Sequence, residues 1–188
     1  MAIKQRRKKE LGKAVRLPDG ISAKLEGFDL LVTGARGTVR KCLRHPTIKI
    51  EIEGDKIAVL PKLQKTKRQK TLIGSFASHI KSMIDGVSRG HVYRLRICSG
   101  HFPMNVAVQG NQLVIKNFLG EKVPRKVDVR PGASVKVEGQ DITVESSSLE
   151  AASQMAADIE KASRLKNRDM RVFQDGIFIT AKDGREIA

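Results

Sequence analysis

The stretch IEIEGDKIAV at residues 50–59 recurs as VKVEGQDITV at residues 135–144, and this pair of segments decides the fold. Each alternates apolar and polar residues on both sides of a glycine, the pattern of a β-hairpin with one face on a core. Ile50, Ile52, Ile57 and Val59 align with Val135, Val137, Ile142 and Val144, and Gly54 aligns with Gly139. Upstream, AKLEGFDLLVTGARGTVRK (23–41) lies against VAVQGNQLVIKNFLGEKVPRK (106–126). Gly27 then matches Gly110 and Gly37 matches Gly120; Arg40 and Lys41 match Arg125 and Lys126 if two residues are inserted in the second copy.

A helical pattern follows each hairpin. Leu72, Ile73, Phe76, Ile80, Met83 and Ile84 recur at helical spacing, with Gly86 as the expected stop. In the second copy Leu149, Ala152, Met155, Ile159 and Ala162 do the same, behind a capping box expected at Ser147 and Glu150. The fold class that follows is α+β: two tandem duplicated domains, each an antiparallel β-sheet with one amphipathic helix packed on one face. The expected boundaries are a basic N-terminal tail at 1–10, a first domain at 11–90, a second at 91–181 and a C-terminal tail at 182–188. The turn-rich DGVSRGH at 85–91 is the expected join.

Charge narrows the function. The 188 residues carry a formal net charge of +16, with 40% hydrophobic, 30% charged and only 4% aromatic residues. Such a chain folds, yet seeks polyanions, and counterion release from a phosphate backbone makes nucleic acid the leading partner. An anionic membrane surface would need a long basic helix with a bulky apolar face, and no such stretch is apparent. Neither a signal peptide nor a membrane span is read from the sequence, and two cysteines, Cys42 and Cys98, make no disulfide framework. A soluble protein of a reducing, intracellular compartment is expected.

The cations gather in segments expected to be loops or tails. An N-terminal arm holds Arg6 and Arg7, and PKLQKTKRQK (61–70), read as the loop before the first helix, holds Lys65, Lys67 and Arg68. In the second copy, Lys122, Arg125, Lys126 and Arg130 follow the NFLG turn, and Lys161, Arg164, Lys166, Arg168 and Arg171 follow the second helix. Arginines in loops suit folded RNA, because the guanidinium fork reaches phosphates and stacks on exposed bases.

Catalytic and metal motifs are not found. There is no GxxxxGK[ST] loop, and GARG (34–37) falls between strands, where a hairpin turn fits better than an RNA clamp between helices. Cys98 and His101 have CxxH spacing with His91 nearby, short of the roughly four ligands that zinc takes. Glu51, Glu53 and Glu138 fall on solvent-facing strand positions as solubilising charges. No catalytic residue, metal, cofactor or small-molecule substrate is expected. An RNA chaperone or chromatin-type binding module is the alternative from another class.

Longer motifs carry a family resemblance. SHIKSMIDGVSRG, SGHFPMNVAV, VIKNFLGEKVPRK and AADIEKASRLKNRDMRVFQDGIFIT resemble, in order and spacing, the archaeal and eukaryotic branch of the large-subunit ribosomal protein family numbered six in bacteria and nine in eukaryotes. The resemblance covers about residues 14–181, with Phe178 where tyrosine is common; the bacterial ending Tyr-Lys-Gly is missing. It implies a non-enzymatic constituent of the cytoplasmic ribosome. Such a protein would bind large-subunit rRNA near the sarcin–ricin loop, on the factor-binding side, mainly through its second domain and beside neighbouring ribosomal proteins. Carried onto this sequence, the implied rRNA contacts are Asn117, Gly120, Lys122, Arg125, Lys126, Lys166, Asn167, Arg168 and Arg171. Gly120 would let backbone approach phosphate, whereas Asn117 would either contact RNA or hold the turn. Charge alone adds Arg6, Arg7, Lys65, Lys67 and Arg68 as further candidates.

Overall fold

The two copies fold with the register their alternation dictates. The computed structural model describes residues 12–62, 66–169 and 171–187, and the chain divides into two units after Ser88. The first unit runs β1 (Lys13–Arg16), β2 (Ser22–Glu26), β3 (Asp29–Gly34), β4 (Gly37–Cys42), β5 (Ile48–Glu53), β6 (Lys56–Pro61) and α1 (Lys67–Ser88). The second runs β7 (His91–Cys98), β8 (Asn105–Gln109), β9 (Gln112–Lys116), a 3-10 turn (Phe118–Gly120), β10 (Arg125–Asp128), β11 (Ala133–Glu138), β12 (Asp141–Ser146), α2 (Leu149–Ala162), β13 (Gly176–Lys182) and β14 (Arg185–Glu186).

In the hairpins named first, Ile52 faces Ile57 and Ile50 faces Val59, as Val137 faces Ile142 and Val135 faces Val144. The α+β class of the sequence reading holds, with one refinement: each unit carries two antiparallel sheets, not one. In the first unit they are β1-β6-β5 and β2-β3-β4; in the second, β11-β12-β7-β13-β14 and β10-β9-β8. The helix of each unit buries its apolar face on strands. Ile73, Ile80 and Val87 of α1 join Leu30, Val32, Ile57 and Val59, while Met155 and Ile159 of α2 join Leu95, Ile142, Val144 and Ile177. Burying each such side chain contributes about 1.5–3 kcal/mol, so these two clusters are the main source of stability.

Several sequence expectations shift. Helix α1 begins at Lys67, within the segment read as a loop, because Thr66 and Gln69 make a reciprocal capping box: Gln69 N–H donates to Thr66 Oγ1 and Thr66 N–H to Gln69 Oε1, both at 3.3 Å. The same helix passes Gly86, which is buried inside it, and runs to Ser88, so the join is shorter than DGVSRGH. In α2 the cap is Ser148, not Ser147: its hydroxyl accepts from Ala151 N–H at 3.4 Å. Ser146, buried at the end of β12, sets that position by accepting from Ser148 N–H.

The segment 182–188, expected as a tail, folds back through residue 187. Lys182 pairs with Arg185, Asp183 N–H donates to Val92 O at 2.9 Å, and Ile187 N–H donates to Thr180 O at 2.8 Å. The GARG hairpin is present, with Gly34 opposite Gly37. Its two glycines serve different ends. Gly37 has φ of 112°, while Gly34 makes room for α1, since a Cβ there would lie 2.9 Å from Val87 O.

Strand register also corrects the alignment of the copies. Val32 pairs with Val39, and the equivalent of Val32 in the second copy, Ile115, pairs with Arg125. Three residues are therefore inserted between β9 and β10, not two, and Arg125 stands where the first unit has the buried Val39.

Candidate nucleic-acid interface

Arg125 does not point free into solvent. It stands on the inward-facing register of β10, with its side chain only 24% exposed. Its Nη1 donates to Ala162 O at 2.7 Å and Arg164 O at 3.2 Å, carbonyls at the end of α2. Nε and Nη2 grip the Glu121 carboxylate at 2.9 and 2.6 Å, and the guanidinium lies 4.0 Å from the centre of the Phe118 ring. The hydrogen bond from Arg125 holds the Glu121 carboxyl below the usual carboxylate range, against a smaller push from burial. A cation at a helix C-terminus also satisfies the negative end of the helix dipole. One side chain thus pins the loop 117–124 to the loop that follows α2.

The first loop has an unusual backbone. Asn117, Leu119 and Gly120 all have positive φ, at 57°, 49° and 78°. Buried Phe118 anchors the turn, and Asn117 Nδ2 donates to Pro103 O at 3.1 Å, so its amide holds the turn to the segment before β8. The Phe102 ring lies 3.7 Å from where a Gly120 Cβ would be. Glycine suits that position for its φ, and the Phe102 ring lies in ordinary contact distance beside it. Lys122 and Lys126 are exposed, and among the described residues neither is in an ion pair.

The second loop, 163–175, is anchored at both ends. Ser163, the buried C-cap of α2, receives Ile177 N–H at 2.8 Å. Asp175, with a side chain 2% exposed, accepts Gly100 N–H at 2.5 Å and His101 N–H at 3.1 Å, and pairs with His101 Nδ1 at 2.5 Å. Burial alone would raise the Asp175 carboxyl, but these backbone and imidazole donors together hold it low. Between the anchors, Lys166, Asn167, Arg168 and Arg171 are exposed. Asn167 takes a left-handed φ of 58°, Arg168 lies 4.9 Å from the Phe173 ring centre, and Arg171, with a side chain 92% exposed, donates its backbone N–H to Asp169 Oδ1 at 2.9 Å while its Nε reaches the same oxygen at 3.4 Å.

Asp175 is depressed below its ordinary value of 3.8, so its stabilising effect is present above that value and lost as pH falls through the folded one. Melting of the protein should therefore fall steeply only below about pH 4, and Asp175→Asn should flatten that limb. An identical acid limb in wild type and variant would remove Asp175 as the anchor.

The second unit thus joins most of the implied contacts on two loops tied through Arg125 to the end of α2. The first-unit candidates lie apart in the chain: Lys67 and Arg68 are exposed on the first turn of α1, where no acid offsets the helix dipole. Arg6, Arg7 and Lys65 fall outside the described residues. The sequence reading missed Asp175 and His101 as a pair, since 74 residues separate them. Among the described residues no group of His, Cys, Asp and Glu is disposed to hold a metal ion, and no helix is long and apolar enough to cross a membrane.

Comparison with known proteins agrees with the duplicated fold. The sequence model of ribosomal protein L6 matches twice, over residues 17–90 and 102–176. Large ribosomal subunit protein uL6 of Haloarcula marismortui is 39% identical over 169 residues, covering 90% of this chain and 94% of that protein. The proteins of the same name from Methanosarcina mazei and Methanococcus vannielii are 41% and 40% identical, covering 93% and 91% of this chain and 98% and 93% of theirs. A family match in both copies, with relatives of this identity along nearly the whole length, places the chain in the ribosomal protein L6 family, on its archaeal side.

Proposed function

We propose that this protein is a non-catalytic structural constituent of the large subunit of the cytoplasmic ribosome, and that its second unit binds large-subunit rRNA near the sarcin–ricin loop, on the side where translation factors dock. The observation that carries the reading is the pair of pinned loops. Lys122 on one loop, with Lys126 next to it on β10, and Lys166, Arg168 and Arg171 on the other loop are exposed cations on a backbone held by buried anchors. Rigid placement of cations suits a folded RNA, because the entropy of ordering long loops is met in folding and not in binding.

Asn167 joins this contact set as the left-handed corner of its loop. Arg125, Asn117 and Gly120 act differently: they shape the loops that present the cations. Lys67 and Arg68 would add a weaker contact from the first unit, and neighbouring ribosomal proteins would complete the surroundings. Ribose footprinting tests the site. Addition of the protein to large-subunit rRNA should protect the sarcin–ricin stem–loop and adjoining helices, and protection elsewhere with that stem–loop untouched would overturn the placement.

A further inference from the structure

An open groove of about 1030 Å³ lies beside the anchored loop 163–175 in the second unit. Its lining includes the apolar side chains of Leu165, Val172 and Phe178, with Lys161 and Arg164 also along it. Phe178 is 41% exposed on β13, its ring packed over Gly176, where an added Cβ would lie 3.0 Å from the ring. Its partner across the strands is Arg96, which is also exposed. The groove's two acids are already engaged: Asp175 accepts from His101 and Gly100, and Glu160 accepts Ile179 N–H at 3.3 Å. Both carboxylates keep their charge and balance Lys161 and Arg164 in the lining, so what is left without a partner in the groove is an aromatic face against backbone, flanked by two exposed cations.

We propose that this groove receives one unpaired nucleobase, stacked on Phe178, while Arg164 and Lys161 hold the phosphates on either side of it. The proposal rests on the RNA-binding reading above and adds to it a contact that is not electrostatic. An aromatic face with neighbouring cations is the chemistry that takes a splayed base, because every base has a π-face and a phosphate at each end. A peptide without carboxylates would use the apolar lining but not the cations. Arg96, opposite Phe178, extends the positive flank along the strand.

The test uses the full-length protein and an in vitro transcript of the large-subunit rRNA, with affinity measured across a range of KCl concentrations. Phe178→Leu keeps apolar bulk and loses the ring. It should weaken binding by about tenfold or more, with an unchanged slope of affinity against salt, because a stacked base releases no counterions. Phe178→Tyr should bind like wild type, and Arg164→Ala should make the slope shallower by about one. Wild-type affinity for Phe178→Leu overturns the proposal, and so does a leucine variant that binds naked RNA normally yet is lost from assembled subunits, which would assign the groove to a protein neighbour. If the wild-type protein shows no preference for the transcript, the RNA reading itself fails and the groove proposal falls with it.

Discussion

Arg125→Ala is expected to destabilise the second unit by about 2–3 kcal/mol, the largest stability loss anticipated for any of the basic residues. The figure comes from hydrogen bonds of a charged donor at roughly 1.5–3 kcal/mol, discounted because Glu121 is partly exposed. The two carbonyls at the end of α2 lose their donor, and Phe118 loses the cation over its ring. Arg125→Lys keeps the charge but not the fork, so it should recover only part of the loss. Urea unfolding followed by far-ultraviolet circular dichroism measures both. A loss below about 0.5 kcal/mol, the level of an ordinary surface substitution, would show that the two loops are held together without Arg125.

Removing the exposed cations should do the opposite: leave stability almost untouched and abolish much of the binding. A variant with Lys122, Lys126, Lys166 and Arg168 all replaced by alanine should make the slope of log affinity against log salt shallower by about three, at roughly 0.7–0.9 per phosphate contact. Extrapolated from 1 M salt, that slope change corresponds to a loss of about a thousandfold at 0.1 M. The contrast with Arg125→Ala separates residues that touch RNA from one that positions them. A variant that binds with the wild-type slope would move the RNA surface away from these loops.

Much of this was legible in the sequence, for physical reasons. A period of two reports strand faces directly, so Ile50, Ile52, Ile57 and Val59 could be placed inward and matched with their second-copy equivalents before any contact was known. Glycine turns flagged the hairpins, and charge flagged the partner. What the sequence hides is register across an irregular loop. Counting two inserted residues made Arg125 the counterpart of exposed Arg40, whereas the strand pairing makes it the counterpart of buried Val39. A basic residue inside a basic segment gives no sign that its guanidinium is consumed by helix carbonyls.

Two further signals were present and outweighed. Thr66 and Gln69 have capping-box spacing, but the surrounding lysines and arginines read as a loop. Asp183-Gly184 is a hairpin turn signal of the kind that marks a short return strand, here β14. The Asp175–His101 anchor had no local signal at all, because only the fold brings those residues together.

If the two pinned loops of the second unit are the principal RNA-binding surface, they lie against RNA in the assembled subunit. Ultraviolet crosslinking of intact large subunits from the source cells, followed by mass spectrometry of this protein's peptides, tests it most directly. Nucleotide-bearing peptides should concentrate in residues 117–126 and 161–178. Crosslinks confined to the first unit, or to the outer face of α1, would contradict it.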